Sequence, residues 1–224
     1  MKKTIILAAM LALPTFAGHK VIVNQAPVAP VAAPAVASQW SIEGAYVFNW
    51  ALNKVMKNAE TSKKLKSVMG ADLTGVYALD DNQAVTLRVG YTWGGKKNSN
   101  GNWGGHDKVR QHTFYVMPGY RYTCPIATDW SFFAGVNVGL ASVSTKLTEY
   151  WPEGLGKYNS HKAACGFAYS IEAGVRYACT ENLDVFAAWS FNGNTATCKF
   201  SDYGDMKTKR QFNSGFRVGV GVKF

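Results

Sequence analysis

After its first residues the chain has no apolar run of the roughly 20 residues that a membrane-spanning helix needs, so any passage through a membrane has to be made by strands. Cysteine is scarce, with four in 224 residues, and none follows the N-terminal apolar stretch, where a lipid-attachment site would place one. No CxxC or paired-histidine spacing accompanies these cysteines, which argues against a metal site, and no cofactor is expected. Catalytic patterns are missing as well. His106, His112 and His161 are the histidines available to a folded domain, and none stands in a His-x-Ser pattern on a strand face. The run from Gly101 to Gly105 lacks the flanking strand and helix of a phosphate-binding loop. No enzymatic activity is expected. Acidic residues are also few, 14 against 24 Lys and Arg, for a formal charge of +10.

The chain opens with Met1, Lys2 and Lys3, an apolar run over 4–13, and then Pro14 and Thr15-Phe16-Ala17. A cationic start, an apolar middle and a small-residue end predict a cleaved export signal over 1–17. Residues 18–39 include a Pro/Ala-rich tract, Gln25 to Val36, which cannot hold a sheet ladder and predicts an extended periplasmic linker. Residues 40–224 are then one domain.

Within that domain the pattern is period two. Eight segments alternate, over 41–50, 68–79, 83–93, 111–122, 130–143, 163–178, 183–191 and 210–224. Their connections alternate too: residues 51–67, 94–110, 144–162 and 192–209 are long and polar, whereas 80–82, 123–129 and 179–182 are short and carry turn residues. Pro118 lies inside the fourth segment, and a bulge before Gly119 is expected to accommodate its missing N–H.

The charged residues set the sidedness. Glu43, Asp72, Arg88, Arg121, Glu172, Arg176, Asp184, Arg217 and Lys223 all fall on the face opposite the apolar one. Arg or Lys facing lipid at mid-bilayer costs about 2–4 kcal/mol, so this face is read as the inside of a barrel and the apolar face as the outside. Aromatics near segment ends, such as Trp50, Trp93, Tyr122, Trp130 and Tyr177, are expected to form two interfacial girdles. A soluble ligand-holding barrel would reverse the arrangement, with apolar residues inward. The expected fold is therefore all-β, an eight-stranded antiparallel up-and-down transmembrane barrel.

The chain ends Phe216-Arg-Val-Gly-Val-Gly-Val-Lys-Phe224, with Phe216, Val218, Val220, Val222 and Phe224 on one face. Together with the export signal and the eight alternating segments, this closing strand resembles the small outer-membrane β-barrel proteins of Gram-negative bacteria, the group that includes OmpX and the membrane domain of OmpA. The resemblance covers residues 41–224. It implies an outer-membrane location, a setting of membrane lipid and lipopolysaccharide, and a closing strand read by the outer-membrane assembly machinery. In OmpA a proline-rich linker and a peptidoglycan-binding domain follow the barrel. Here the linker precedes it, and peptidoglycan binding is not carried over.

Eight strands enclose an interior just wide enough for side chains, and the near-balanced inward charges predict a plug rather than a channel, with a narrow pore for ions or small solutes as the alternative. Glu43 is expected to pair with Arg217 or Lys223 across the closing seam. Most of the positive charge lies in the long connections, with Lys54, Lys57, Lys63, Lys64 and Lys66 in the first, and Lys96, Lys97, Lys108 and Arg110 in the second. On an outer surface these would meet lipopolysaccharide phosphates, acidic glycans or a host surface, and a role in envelope integrity or adhesion follows. Export removes nucleic acid from reach. Cys124 and Cys179 lie near the short-turn end, Cys165 and Cys198 near the other. A hydrocarbon layer of roughly 25–30 Å between the two levels leaves only the disulfides Cys124–Cys179 and Cys165–Cys198 open.

Overall fold

The structure is a computed structural model that describes residues 39–53, 56–57, 67–98, 106–150, 157–200, 206–208 and 210–224. The export signal and linker expected over 1–17 and 18–39 lie outside the described residues, save Gln39. Among the described residues there are eleven strands: β1 (Trp40–Ala51), β2 (Met56–Lys57), β3 (Val68–Ala78), β4 (Gln83–Asn98), β5 (His106–Pro125), β6 (Trp130–Tyr150), β7 (Lys157–Ala178), β8 (Leu183–Asn194), β9 (Lys199–Phe200), β10 (Met206–Thr208) and β11 (Gln211–Lys223). Eight close a barrel in the order β1-β11-β8-β7-β6-β5-β4-β3, all antiparallel, and β2-β10-β9 form a separate small sheet. The seam between first and last strands runs from Ser41 opposite Lys223 to Ala51 opposite Asn213.

Period two governs the wall. From Leu183 to Phe191 of β8 the burial alternates strictly, with Asp184, Phe186, Ala188 and Ser190 buried and Val185, Trp189 and Phe191 exposed. The outward face is the apolar one: Tyr46, Leu73, Leu87, Val136 and Val220 are all about half exposed or more. A wall of this kind is stable only against lipid, because every strand would otherwise present its apolar face to water. Aromatic contacts gather toward both ends of that face, with Trp40 against Tyr77 (4.7 Å) and Trp130 against Tyr177 (5.0 Å) at the short-turn end, and Trp50, Trp189 and Phe216 packed at the other.

The short turns close by local chemistry. Asp80 Oδ1 accepts from the N–H groups of Asn82 (2.8 Å) and Gln83 (2.7 Å), and Thr180 Oγ1 accepts from Leu183 N–H (3.0 Å).

Two expectations need correcting. No bulge precedes Gly119, because the register of β5 against β6 is the same at Val116–Leu140 and at Gly119–Asn137. The ladder to β6 simply opens at Met117 and Pro118, while the ladder to β4 runs through both residues. A proline that lacks one donor needs no extra residue when its other neighbour holds the strand. The long connections are also shorter than expected, since β4 to β7 continue as paired strands beyond the wall, out to Asn98 opposite Asp107 and Tyr150 opposite Lys157. Lys96, Lys97, Lys108 and Arg110 therefore lie in strands, not in a loop. Their polar sequence reads as loop because the ribbon has no apolar face to mark it.

Candidate functional site

Interior side chains make three layers. The first is ionic. Arg121 donates to both oxygens of Glu43, Nη2 to Oε2 at 2.9 Å, and reaches Glu172 at 3.3 Å. Arg88 bonds Glu172 and donates to Ser170 Oγ at 3.2 Å. Arg217 forks onto Asp72, Nε and Nη2 to Oδ1 at 3.0 and 2.7 Å, and also donates to Thr74 Oγ1 at 2.7 Å. Arg176 joins Glu43 to Asp184, the latter at 3.1 Å, and Lys223 stands 3.8 Å from Asp184. All nine inward charges thus belong to one network. Glu43, Asp72, Arg88, Arg121, Glu172, Asp184 and Arg217 are buried.

Of the two partners expected for Glu43, Arg217 Nη1 lies 3.6 Å away, whereas Lys223 turns to Asp184. Arg121 is the closer partner and comes from β5, across the lumen, a contact that no strand-neighbour argument reaches. Phe133 and Phe186 seal the layer: they meet edge to face at 6.1 Å, with the Arg121 guanidinium 4.8 Å from one ring and that of Arg217 4.9 Å from the other. The inward glycines do not open a passage here. A Cβ at Gly219 would come within 2.7 Å of Phe186, and one at Gly90 would overlap Tyr115, so aromatic rings occupy the room that glycine leaves.

The second layer is a small chamber. Asp72, Arg88 and Arg217 border it, with Asn49, Asn192 and Asn194 among its lining, and its volume open to the centre of a water molecule is about 40 Å³. That is room for about three waters.

The third layer is an apolar lid. Cys198 and Phe200, from the segment after β8, pack inside the mouth against Val68 and Leu147, with Ala51, Val109 and Ala164 around them. The segment is tied down where Thr195 N–H donates to Phe167 carbonyl at 2.9 Å and Cys198 N–H donates to Thr208 Oγ1 at 2.7 Å. Phe200 is wholly buried. Sequence reading missed this lid, since two apolar residues in a polar stretch give no periodic signal.

The lid sheet has two faces. Phe200 and Thr208 are buried on the inner one, while Lys199 and Lys207 are exposed on the outer one. Lys57, Lys207 and Lys199 stand directly opposite one another across β2, β10 and β9. Lys97 is likewise opposite Lys108, across β4 and β5. Lys54, Lys63, Lys64 and Lys66 lie outside the described residues.

The sequence matches the outer membrane protein β-barrel domain over residues 25–224. The chain belongs to that family. Among solved structures, Neisserial surface protein A is 16% identical, with 84% of this chain and 98% of that one covered and a TM-score of 0.49. OprG of Pseudomonas aeruginosa is 16% identical over 84% and 96%, TM-score 0.49. Ail of Yersinia pestis, the attachment invasion locus protein, is 14% identical over 84% and 99%, TM-score 0.45, and has also been solved with the heparin analogue sucrose octasulfate. Likeness at this level is one of architecture. No curated protein matches the chain.

As a barrel of this outer-membrane family, the protein presents Phe216, Val218, Val220, Val222 and Phe224 outward on its closing strand, each 41% exposed or more. The expected disulfides are absent, and all four cysteines are free. Cys124 and Cys179 are held apart by β6, so roughly two strand spacings of 4.8 Å separate them, beyond the 7 Å limit. Cys165 faces outward, whereas Cys198 is inside the lid, with the wall between them. Burial pushes the Cys198 thiol above its ordinary value. Alkylation of the folded protein is expected to modify Cys124, Cys165 and Cys179, with Cys198 reacting only after unfolding, and peptide mass mapping of labelled sites checks this. A recovered Cys124–Cys179 bridge would contradict the arrangement.

Proposed function

We propose that this barrel is a closed-lumen envelope protein that works non-enzymatically through its outer surface, binding acidic glycans with the lysine face of its lid. The observation that carries the reading is the row Lys57, Lys207 and Lys199. Like charges directly opposite on adjacent strands destabilise a sheet, so such a row works against the lid's own folding, and an external polyanion would relieve it. The three interior layers support the same reading, since ion pairs, a chamber of a few waters and an apolar lid stand in series along the described lumen. In this reading the chain is exported after removal of residues 1–17, assembled through its closing strand, and oriented with the short turns in the periplasm. Adhesion to a host surface and reinforcement of the envelope are the consequences.

The test pairs two measurements on the detergent-refolded protein. Binding to immobilised heparin, as the acidic-glycan probe, is expected to fall at least tenfold in the K57Q/K199Q/K207Q variant and to weaken steeply with salt. Wild-type binding by that variant would sink the glycan reading. Planar-bilayer recordings are expected to show no discrete steps. Steady single-channel steps would make the narrow pore the function instead, with the ionic layer as its gate.

A further inference from the structure

The chamber between the ionic layer and the lid has polar atoms that the protein leaves unused. Arg88 Nε, Arg217 Nη1 and Asn194 Oδ1 are buried, belong to residues of its lining, and have no hydrogen-bond partner among the described residues. Arg217 Nη1 stands 3.5 Å from Glu172 and 3.6 Å from Glu43, near enough for attraction but without a hydrogen bond. A buried charged donor without an acceptor is costly, so something other than the protein is expected to take these bonds. The sign of that occupant follows from Asp72, the carboxylate that borders the chamber. Its Oδ1 accepts from Arg217 Nε and Nη2 at 3.0 and 2.7 Å, and its Oδ2 accepts from Arg217 Nε at 3.1 Å and from the Tyr115 hydroxyl at 3.3 Å. The lone pairs of Asp72 are thus occupied, which leaves little to hold a cation, whereas two guanidinium N–H groups are open to an anion.

Another part of the lining is apolar, where Met117, Ala141 and Ala168 pack as one cluster. Water against that patch loses polar partners, and a methyl group does not. We propose that the chamber is a binding site for a short monocarboxylate of acetate size, its carboxylate accepting from Arg88 and Arg217 and its methyl group lying against Met117, Ala141 and Ala168. Such an ion displaces the roughly three waters for which the chamber has room. A half-turn of the Asn194 amide presents its NH2 group to the same carboxylate. The way in is braced from the mouth side. Gln211 and Gln111 occupy the next inward positions beyond Asn213 and Thr113 of the lining. Gln211 Nε2 donates to Gln111 Oε1 across the lumen, from β11 to β5, and Gln111 Nε2 donates to Thr145 Oγ1 at 3.3 Å, with all three residues buried. The ion therefore enters as the barrel closes, or when this brace and the lid above it give way, and it leaves slowly. The site requires neither the glycan reading of the lid nor a particular orientation of the barrel.

The experiment refolds the protein in detergent with isotope-labelled acetate or with labelled acetamide, which has the shape of acetate without its charge. Free solute is removed by desalting, and the retained label is read by NMR. Unfolding midpoints in urea, measured in acetate and in chloride of equal ionic strength, detect an ion that exchanges too fast to be retained. The wild type is expected to hold acetate at least tenfold better than acetamide and to unfold at higher urea in acetate than in chloride. The A168L variant, whose larger side chain fills the apolar part of the chamber, is expected to lose both effects, while K57Q/K199Q/K207Q keeps them. Equal retention of acetamide by the wild type would overturn the site, because the chamber would then trap any solute of that size. Acetate that is neither retained nor stabilising would leave the chamber to water and overturn it as well. Undiminished acetate binding by A168L would put the ion elsewhere on the protein, with the same consequence. The wild-type comparison needs no variant to fold, and heat-modifiable gel mobility shows whether each variant has.

Discussion

Changing Glu43 to glutamine is expected to lower the unfolding free energy of the barrel by about 3–5 kcal/mol, the usual cost of removing one partner from a buried ion network. Glu43 is wholly buried and accepts from Arg121 and Arg176, with Arg217 3.6 Å away, so the substitution leaves positive charge in the lumen without a counter-ion. The amide keeps the shape of the carboxylate, which removes a cavity as the explanation of any loss. Urea titration of the protein in detergent, followed by tryptophan fluorescence, measures the effect. The E43Q/R121Q double variant is expected to recover part of it, because charge balance is restored although hydrogen bonds are lost. A single variant within about 1 kcal/mol of wild type would mean that water reaches the layer and screens it.

A second large effect is expected on the outer wall. Val136 faces outward and is 51% exposed. It lies six residues along β6 from Trp130, about 15 Å up the axis, which is near the middle of an apolar band roughly 25 Å tall. Arginine at Val136 is expected to cost about 2–4 kcal/mol of stability in lipid bilayers, whereas arginine at Ala163, outward in the row below Lys146, costs about 0–1 kcal/mol. Refolding yields and unfolding midpoints in bilayers, compared between the two variants, read the difference. Equal effects at both sites would place the hydrocarbon layer elsewhere on the wall. A soluble barrel would tolerate arginine at either position, since both already face solvent in that case.

Lumen and wall were not equally legible beforehand. Strand number, strand faces and the three tight turns follow from alternation and from Asp80, Asn82 and Thr180, because each is encoded within a few residues. The inward position of Glu43, Arg88, Arg121 and Arg217 is of this kind, as is the apolar outer row on the closing strand. Where the pattern was polar on both faces, as over residues 94–98 and 106–110, alternation carried no signal, and paired strands read as loop. Pro118 misled in the opposite direction: a donor missing from one ladder was tolerated because β4 held the other.

Who meets whom inside was decided by closure. An eight-stranded sheet closes with tilt and stagger, and these set which residues of distant strands share a level. The Arg121–Glu43 and Arg88–Glu172 pairs cross the lumen between strands that are not neighbours, so no local rule names them. The lid is of the same kind, since Phe200 reaches Val68 and Leu147 only when the chain after β8 turns back into the mouth. That return also lines up Lys57, Lys207 and Lys199, and the long pairing of β5 to β7 sets Arg110 beside Lys146 and His161. Closure separated the cysteines too, placing a whole strand between one expected pair and the barrel wall between the other. The sequence by itself determined that this protein is a lipid-facing barrel with its charges inward, because side-chain alternation is a property of each strand alone. Only the tertiary structure decided the ion pairs, the lid and both basic rows, because these depend on the register of closure and on where long connections return.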